Sequence, residues 1–414
     1  MRLKRQLLPI MALLLIVALV QIQCGDSEET TGPVEPQTEA VLCLTMDSCN
    51  VRAICDSTAL IYVRNCGDLT SVDWFASTDQ DWLSLSTDSG STPGTFRVIA
   101  EHNGTSSERS GTVTVTAPGA DSIRHVTIVQ KRFLQYAGSY NTEGNSNGVF
   151  AVDNVVLVAD GYAGLTIIDA SDPSNPTLAG SYDTPDYSFD VVVFEGLAYV
   201  ADWGGGLQIV DPSNIAHPTL VGSYENFYFD ALGVSCFGDR AYIAANNGYD
   251  IIDISNPEEP SRLTGYGVAD FSWGVYVDFG IVYVTIGGPG LLVHGYSTCD
   301  LPGASESVMA VGNYAYVAAG TGGLQIVDVS DKANPTVVGS YATSGEAHDV
   351  HVYGNYAFVV DGGGLYVVDV TDPTNPTLAT YHETPGEAWG VYVADGFAYV
   401  GDNDEGLQIL EIGF

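Results

Sequence analysis

Carboxylates and large aromatic side chains recur at two positions in the second two-thirds of this sequence, beside glycine-rich segments. At the first position an aspartate follows an apolar run in four places: Asp160, Asp202, Asp361 and Asp402. At the second position, ahead of other apolar runs, stand Trp273, His348 and Trp389, with Glu346 and Glu387 nearby. Aromatic faces beside carboxylates suit neutral or cationic ligands, including sugars, so we expect these residues, together with Trp203, to bind a ligand.

The same acids permit two other interpretations. Clustered carboxylates suit Ca²⁺, which takes oxygen ligands, and Asp402 with Asp404 is the pair we consider for calcium. No other cofactor is expected. Alternatively, each aspartate only fixes its glycine turn by accepting backbone N–H bonds. His348 and His351 do not suggest a shared metal, because residues three apart on a strand point to opposite faces.

Seven related segments place these residues on a repeating unit. Each contains a run similar to Gly-Leu-x-Ile-Val-Asp, and the runs end at Asp169, Asp211, Asp253, His294, Asp328, Asp369 and Glu411. The spacing is 41 or 42 residues except for one interval of 34. Each unit holds four short apolar runs separated by turn residues, which is typical of one blade of a β-propeller. The aspartate that ends the run is expected to fix the following turn.

An extra strand at the start of the array predicts how the propeller closes. The seventh repeat stops after its third run, whereas Gln135–Tyr140 precedes the first repeat and matches the fourth run of other repeats. We therefore expect an all-β, seven-bladed β-propeller over residues 133–414, with this N-terminal strand completing the last blade and removing an open edge. The fourth repeat has lost about eight residues, so its outer strand should be short or missing.

The repeats resemble the LVIVD repeat family. The shared motifs are Leu-x-Ile-Val-Asp-x-Ser-Asp-Pro and Asn-Pro-Thr-Leu-Val-Gly-Ser-Tyr, and the likeness covers residues 134–414, most clearly in five of the seven repeats. The resemblance implies a propeller in an extracytoplasmic or surface protein. It implies no particular chemistry.

Residues 40–131 predict a small, separate β-sandwich. Alternating runs such as Thr112–Thr116 are typical of half-buried strands, and turn residues separate them. Four cysteines in this region could form two disulfides in an oxidising compartment: Cys43, Cys49, Cys55 and Cys66. A zinc site is the alternative, although no Cys-x-x-Cys pair is present.

This first domain resembles a BACON domain, an immunoglobulin-like sandwich of bacterial surface and secreted proteins. The likeness rests on the order of Trp82–Gly90, Asn103–Val115 and Val126–Gln130. It implies carbohydrate binding, for which Trp74, Phe75 and Trp82 are candidates. The alternative is that these rings belong to the core.

The N-terminus resembles a lipoprotein signal. Basic residues precede the apolar run Leu7–Val20, which is short for a membrane span, and Cys24 follows. The resemblance implies a signal peptide over residues 1–23, lipid attachment at Cys24, and location at the outer membrane or cell surface. An ordinary cleaved signal is the alternative. Residues 24–39 are acidic and polar, so we expect a flexible tether there.

The charge of the chain excludes one class of partner. All 51 acidic residues follow residue 23, whereas three of the 13 basic residues precede it, so the rest of the chain carries a formal charge of −41. Nucleic-acid binding requires the opposite sign. Cations and neutral ligands are compatible with this charge, which also keeps a secreted protein soluble.

Three functions are consistent with the sequence. The leading hypothesis is a lipid-anchored surface protein that serves as a binding or interaction platform, with a glycan or a protein as its ligand. The second is a propeller glycoside hydrolase or lyase that uses acids such as Glu346, Asp349 and Glu387. The third is a structural envelope scaffold with protein partners. We expect no enzyme, because no phosphate-binding loop or redox cysteine pair occurs.

Overall fold

A computed structural model describes residues 42–46, 57–65, 71–100, 109–118, 123–130, 133–225, 230–268, 270–288 and 290–413. The regular elements in these ranges are all β-strands, as expected. These ranges contain no helix long and apolar enough to cross a membrane. The chain divides into two compact units, Met1–Phe133 with Gly413–Phe414, and Leu134–Ile412. The predicted signal peptide, the tether and Cys24 lie outside the described residues.

The first unit contains two four-stranded antiparallel sheets, ordered β1-β2-β6-β4 and β5-β3-β7-β8. Its strands are β1 (Leu42–Met46), β2 (Ser57–Asn65), β3 (Asp73–Thr78), β4 (Leu83–Leu85), β5 (Ser89–Ser91), β6 (Gly94–Ala100), β7 (Arg109–Thr116) and β8 (Arg124–Gln130). Alternating residues of β3, β6 and β7 are buried, as the alternating sequence predicts. Of the four cysteines considered for disulfides, Cys49, Cys55 and Cys66 lie outside the described residues, as does the side chain of Cys43.

The aromatic residues of this unit do not form one platform. Trp74 is 1% exposed and packs on Phe96, with ring centroids 5.2 Å apart. Phe75, the next residue on the strand, points to the opposite face and is exposed. Trp82 is partly buried against the core, and the guanidinium of Arg109 lies 4.3 Å from its ring centroid. The expectation of a shared sugar surface at these three residues is therefore wrong, and Trp74 belongs to the core.

The second unit is built entirely from short antiparallel strands in its described residues. They are β9 (Leu134–Tyr140), β10 (Val149–Val152), β11 (Val155–Ala159), β12 (Leu165–Asp169), β13 (Thr177–Tyr182), β14 (Asp190–Phe194), β15 (Leu197–Asp202), β16 (Gly206–Asp211), β17 (Thr219–Tyr224), β18 (Ala231–Phe237), β19 (Arg240–Ala245), β20 (Gly248–Asp253), β21 (Ser261–Gly267), β22 (Val275–Asp278), β23 (Ile281–Ile286), β24 (Gly290–Val293), β25 (Ser297–Cys299), β26 (Ser307–Val311), β27 (Tyr314–Ala318), β28 (Leu324–Asp328), β29 (Thr336–Tyr341), β30 (Ala347–Tyr353), β31 (Tyr356–Asp361), β32 (Gly364–Asp369), β33 (Thr377–Glu383), β34 (Gly390–Ala394), β35 (Phe397–Gly401) and β36 (Leu407–Ile412).

Across its described residues, this unit contains seven four-stranded sheets, one for each repeat. Six consist of consecutive strands, beginning with β10-β11-β12-β13, and the seventh is ordered β34-β35-β36-β9. The innermost strands pack on one another in sequence, and β34 packs on β10, so the sheets form a closed ring. The second and third strands of each sheet are almost wholly buried, because they are covered on both faces by neighbouring sheets.

The N-terminal strand completes the last sheet, as the repeat pattern predicts. β9 pairs with β36 from Tyr140 opposite Leu407 to Leu134 opposite Ile412. The same β-bulge occurs between the third and fourth strands in this sheet and in five others of the described ring. In the fourth sheet the outer strand is present but short, with the three residues of β25.

Each predicted turn aspartate accepts a backbone N–H two residues ahead. Ser171 donates to Asp169 at 2.9 Å and Ser213 to Asp211 at 2.8 Å, and the corresponding bonds form at three more repeats. These backbone bonds lower the pKa of both carboxyls. The structural role expected for this set is therefore confirmed.

A glycine in the outer strand lets each sheet lie close to its neighbour. A Cβ atom at Gly138 would overlap the carbonyl oxygen of Pro173, in the turn after β12 of the first sheet. Equivalent contacts occur at Gly180, Gly222 and Gly339. The Gly138 contact joins the seventh sheet to the first, which makes it specific to ring closure.

We predict that Gly138→Ala lowers the free energy of unfolding of the protein by about 1–3 kcal/mol, because the added methyl group must displace the Pro173 turn. The measurement is chemical denaturation followed by tryptophan fluorescence. Gln135→Ala, at an exposed position of the same strand, is the control. Equal stability of the two variants would contradict the role given to this contact.

Candidate functional site

Two kinds of loop meet at one end of the ring. The loop between the second and third strands of a sheet pairs with the segment that enters the first strand of the next sheet. The isolated bridges Gly161 to Ser188, Trp203 to Ala231 and Gly320 to Ala347 show this pairing. Both positions singled out in the sequence therefore lie at the same mouth of the ring.

The four loop aspartates are nevertheless buried and are not accessible to a ligand. Asp160, Asp202, Asp361 and Asp402 are each 0% exposed. In every case Oδ2 accepts the backbone N–H of the residue sixteen positions earlier: Gly144 at 3.2 Å, Asp186 at 3.0 Å, Gly345 at 2.7 Å and Gly386 at 2.8 Å. The carboxylates tie two loops of one sheet together, so their assignment to ligand binding is corrected to a structural role.

Hydroxyl groups complete two of these ties. Thr142 donates to Asp160 at 2.6 Å, and Ser188 donates to Asp202 at 2.9 Å. Burial raises the pKa of Asp202 and Asp402, and the hydrogen bonds oppose this shift.

The serines of two sheets show what happens without the aspartate. Where the repeat replaces it with Ile286 or Ala319, the buried hydroxyls of Ser272 and Ser305 have no hydrogen-bond partner among the described residues. The presence of the aspartate therefore decides whether the serine fourteen residues earlier is satisfied.

A second loop contact is not among those predicted from the sequence. In three repeats the glutamine of Gly-Leu-Gln-Ile is buried and donates to a loop carbonyl. Gln208 reaches Gly205 at 2.6 Å, Gln325 reaches Gly322 at 2.6 Å, and Gln408 reaches Glu405 at 3.1 Å. The signal was available as a polar residue inside an otherwise apolar run.

The sequence also contains a Gly-x-Ser-x-Gly pattern, at Gly144–Gly148. Ser146 is 0% exposed and hydrogen-bonds to Thr142 and Asp160. A hydrolase nucleophile needs an exposed serine at a strand-to-helix turn. This serine instead belongs to the loop tie of the first sheet.

The strand-entry residues form a pocket at the mouth. A cavity of about 360 Å³ is lined by Trp273, Glu306, Glu346, His348, Gly362, Glu387 and Trp389. These residues come from the fourth to the seventh sheets, at or just before β22, β26, β30 and β34, and from the loop after β31. The structure thus brings together five residues predicted to bind a ligand and adds Glu306 to them.

The geometry inside the pocket centres on His348. Its Nδ1 lies 2.8 Å from Oε2 of Glu306, and its ring stacks on Trp389 with centroids 4.3 Å apart and planes 11° apart. Burial lowers the pKa of His348, but the hydrogen bond and charge of Glu306, with the charges of Glu346 and Asp361, outweigh it, so the pKa is raised. The pocket therefore favours a positive charge.

Trp203 lies outside this pocket. It is 42% exposed and packs on Phe189 with ring centroids 5.2 Å apart. Phe189 in turn contacts Tyr187, which contacts Tyr162, so these four rings form a row on the first and second sheets. The row and the pocket are separate surfaces of the mouth.

The calcium candidates are not arranged as a pair of free ligands. Asp402 is buried in its loop tie, whereas Asp404 is exposed and accepts a hydrogen bond from Nδ2 of Asn145 at 2.6 Å. Among the described residues, no group of three or more His, Cys, Asp or Glu side chains lies close enough to hold a metal ion. Calcium binding stays a prediction without a supporting site here.

The inner strands enclose a second cavity of about 350 Å³ along the centre of the ring. Asp190 accepts N–H bonds from Val191 and, on the next sheet, Val234, at 2.8 and 2.9 Å. Burial raises the pKa of Asp190 to about 6. Asp349 bridges β30 and β34 in the same way through Val391, at 2.8 Å. Its oxygens are occupied, which does not favour the catalytic role considered for it.

His351 lies in this central cavity and not in the mouth pocket with His348. Its ring contacts Tyr392 with centroids 4.6 Å apart. Burial lowers its pKa to about 4, so the ring is neutral at neutral pH.

Comparisons with known proteins agree with this architecture. LVIVD repeats match residues 143–184, 186–226, 230–266, 302–343, 344–384 and 385–413, more than half of the chain, and leave out the short fourth repeat. The BACON family, described as "Putative binding domain, N-terminal", matches residues 72–131. The fold and these matches define a β-propeller protein in which a segment similar to the BACON family precedes the propeller in sequence. The chain belongs to the LVIVD repeat family.

Solved structures share the propeller fold. The WD40 domain of Neurospora crassa Pan2 is 10% identical with a TM-score of 0.55, covering 68% of this chain and 96% of its own. The WD40 propeller domain of Doa1 is 12% identical with a TM-score of 0.56, covering 67% and 96%. At this identity the likeness concerns the fold alone. A comparison with curated proteins finds no match.

We predict that Glu306→Gln lowers the pKa of His348. The variant removes the negative charge of Glu306, which raises this pKa, and leaves the burial, which lowers it. Titration of the His348 ring by NMR measures this shift. Because the folded pKa is raised, the pair stabilises the fold below the ordinary histidine pKa, and this contribution is lost as pH rises through the folded value. Glu259→Gln, at an exposed turn, should leave the titration unchanged. An unaltered pKa in Glu306→Gln would refute the coupling.

A second prediction concerns Asp190, whose pKa of about 6 exceeds that of an unfolded aspartate. Its protonation stabilises the fold fully below the unfolded pKa, and this stability, about 3 kcal/mol at most, disappears as pH rises through 6. The difference in unfolding free energy between wild type and Asp190→Asn should therefore increase as pH falls from 7 to 4. A difference independent of pH would contradict the assignment.

Proposed function

We propose that this protein is an extracytoplasmic binding protein whose propeller holds its ligand in the mouth pocket, and that carbohydrate is the ligand class. The observation that carries the proposal is the cavity of about 360 Å³ lined by two tryptophans, three glutamates and a histidine. Ligand sites are typically concave, with aromatic walls and a few convergent polar groups. This pocket has that composition.

The chemistry of the lining suits a sugar. The rings of Trp273 and Trp389 offer apolar faces for the C–H surfaces of a pyranose, and carboxylates accept hydrogen bonds from its hydroxyl groups. The cavity volume lies within the range of small-molecule sites. A phosphate or nucleic acid would meet three carboxylates and no lysine or arginine.

The BACON match of the first unit supports a binding role, because that family is described as a "Putative binding domain, N-terminal". The location rests on the N-terminal sequence, whose basic start, apolar run and Cys24 support export and lipid attachment. A tether of residues 24–39 would then present the two units outside the cytoplasm.

The test is a glycan array followed by affinity measurement on the intact protein. The Trp273→Ala, Trp389→Ala double variant should bind a captured glycan at least about tenfold more weakly, because buried aromatic anchors dominate such contacts. Gly362→Leu should have the same effect without removing a lining side chain, since a Cβ atom there meets open space. Trp203→Ala, on the separate aromatic row, is the matched control.

Other results would support other functions. Undiminished binding in both pocket variants would exclude this pocket as the site. Cleavage of the bound glycan, lost in Glu387→Gln, would identify a glycoside hydrolase or lyase. Absence of any captured glycan would favour the structural scaffold with protein partners.

A further inference from the structure

The charges around the mouth pocket are one-sided. Three carboxylates line the cavity, those of Glu306, Glu346 and Glu387. Only Glu306 is engaged, by its contact with His348. Glu346 and Glu387 are exposed and accept no hydrogen bond from the described residues. Two carboxylates are thus left at the wall of an aromatic cavity.

No lysine or arginine of the propeller is available to neutralise them. Residues 133–414 contain three lysines and arginines, Arg240, Lys332 and Arg262. Arg240 begins β19, whose far end reaches the mouth, and Lys332 lies in the turn after β28, so both are at the opposite end of the ring. Arg262 is bound to Asp250 at 2.8 Å. The pocket therefore keeps its negative charge.

The pocket already surrounds one titratable group with features that stabilise a cation. The His348 ring lies flat on the Trp389 indole and contacts the Glu306 carboxylate. An aromatic face and a carboxylate are the two partners that an organic cation seeks in proteins. The raised pKa of His348 shows that the surroundings favour its charged form. A cationic group of a ligand beside Glu346 and Glu387 would likewise contact carboxylates and an aromatic ring.

We infer that the ligand of this pocket carries an ammonium group, which Glu346, Glu387 and the ring of Trp273 recognise. The inference rests on the proposed function of the pocket and specifies the chemistry of its ligand. An ammonium group over an aromatic face gains about 0.5–2 kcal/mol, more when water is excluded. Each partly exposed carboxylate adds a further contribution that salt weakens.

A matched pair of probes separates charge from shape. Choline and its neutral isostere 3,3-dimethylbutan-1-ol have the same size, and binding of each to the intact protein is measured by ligand-observed NMR and calorimetry. Choline should bind in the millimolar range, at least about tenfold more tightly than the alcohol. Glu346→Gln and Glu387→Gln should each weaken choline binding about three- to tenfold. Glu259→Gln, which removes an exposed carboxylate at a turn, should leave it unchanged.

A second pair shows whether the ammonium group belongs to a glycan. Glucosamine tetrasaccharide and its fully N-acetylated form share one backbone and differ in charge. Preference for the free amine, lost in Glu346→Gln and Glu387→Gln, would identify an amino sugar as the source. Binding of choline without either oligosaccharide would place the ammonium group on a small non-glycan molecule.

Failure of this inference can be told apart from failure of the proposed function. If the neutral member of each pair binds as tightly as the charged one, the pocket is a binding site and the ammonium assignment is wrong. If neither choline nor the amino oligosaccharide binds, the assignment is equally overturned. The glycan array with the Trp273→Ala, Trp389→Ala variant then decides the proposed function alone.

Discussion

The pairing of β9 with β36 is the constraint on which the rest of the propeller depends. Without β9 the seventh sheet would keep three strands and present an open edge on β36, where another chain could pair. The same sheet supplies Glu387 and Trp389 to the mouth pocket and packs on the first sheet through β34 and β10. Ring closure and the shape of the pocket are therefore set by one long-range contact between the two ends of the repeat array.

Repetition of the backbone divides the polar and aromatic residues of the propeller into two classes. Positions that recur with the same side chain serve the fold: the turn acids such as Asp169, and the buried loop acids such as Asp202, meet backbone N–H groups in each sheet where they occur. The residue that enters each inner strand varies instead, through Trp273, Glu306, His348 and Trp389 in four successive sheets. A fixed backbone position with varied chemistry gives a symmetric scaffold an asymmetric pocket.

The sequence predicts the strands, the closing strand and the shared mouth because these follow from period and apolar pattern. It misassigns Asp160, Asp202, Asp361 and Asp402, because their partners lie sixteen residues earlier in loops whose path a pattern does not reveal. The sequence also does not predict that Trp203 lies apart from the pocket. The two occupy equivalent loops, which a repeat pattern cannot tell apart, but on different sheets of the ring. The sequence does not predict Glu306 as a binding residue, because its role depends on its contact with His348, which is 42 residues away in sequence.

Solvent-accessible acidic residues of the chain lie in two different environments, the exposed surface and the mouth pocket. Many acids of the described residues are exposed, where the negative charge favours solubility and where neighbouring acids are screened by water. Glu346 and Glu387 in the pocket are different, since they border tryptophan rings and no lysine or arginine of the propeller lies at that end of the ring. Carboxylates beside apolar rings lose hydration on that side, a cost that solubility alone gives no reason to accept. A positively charged group on the ligand offsets this cost, which is why the charge of the pocket and its aromatic walls point to the same kind of ligand.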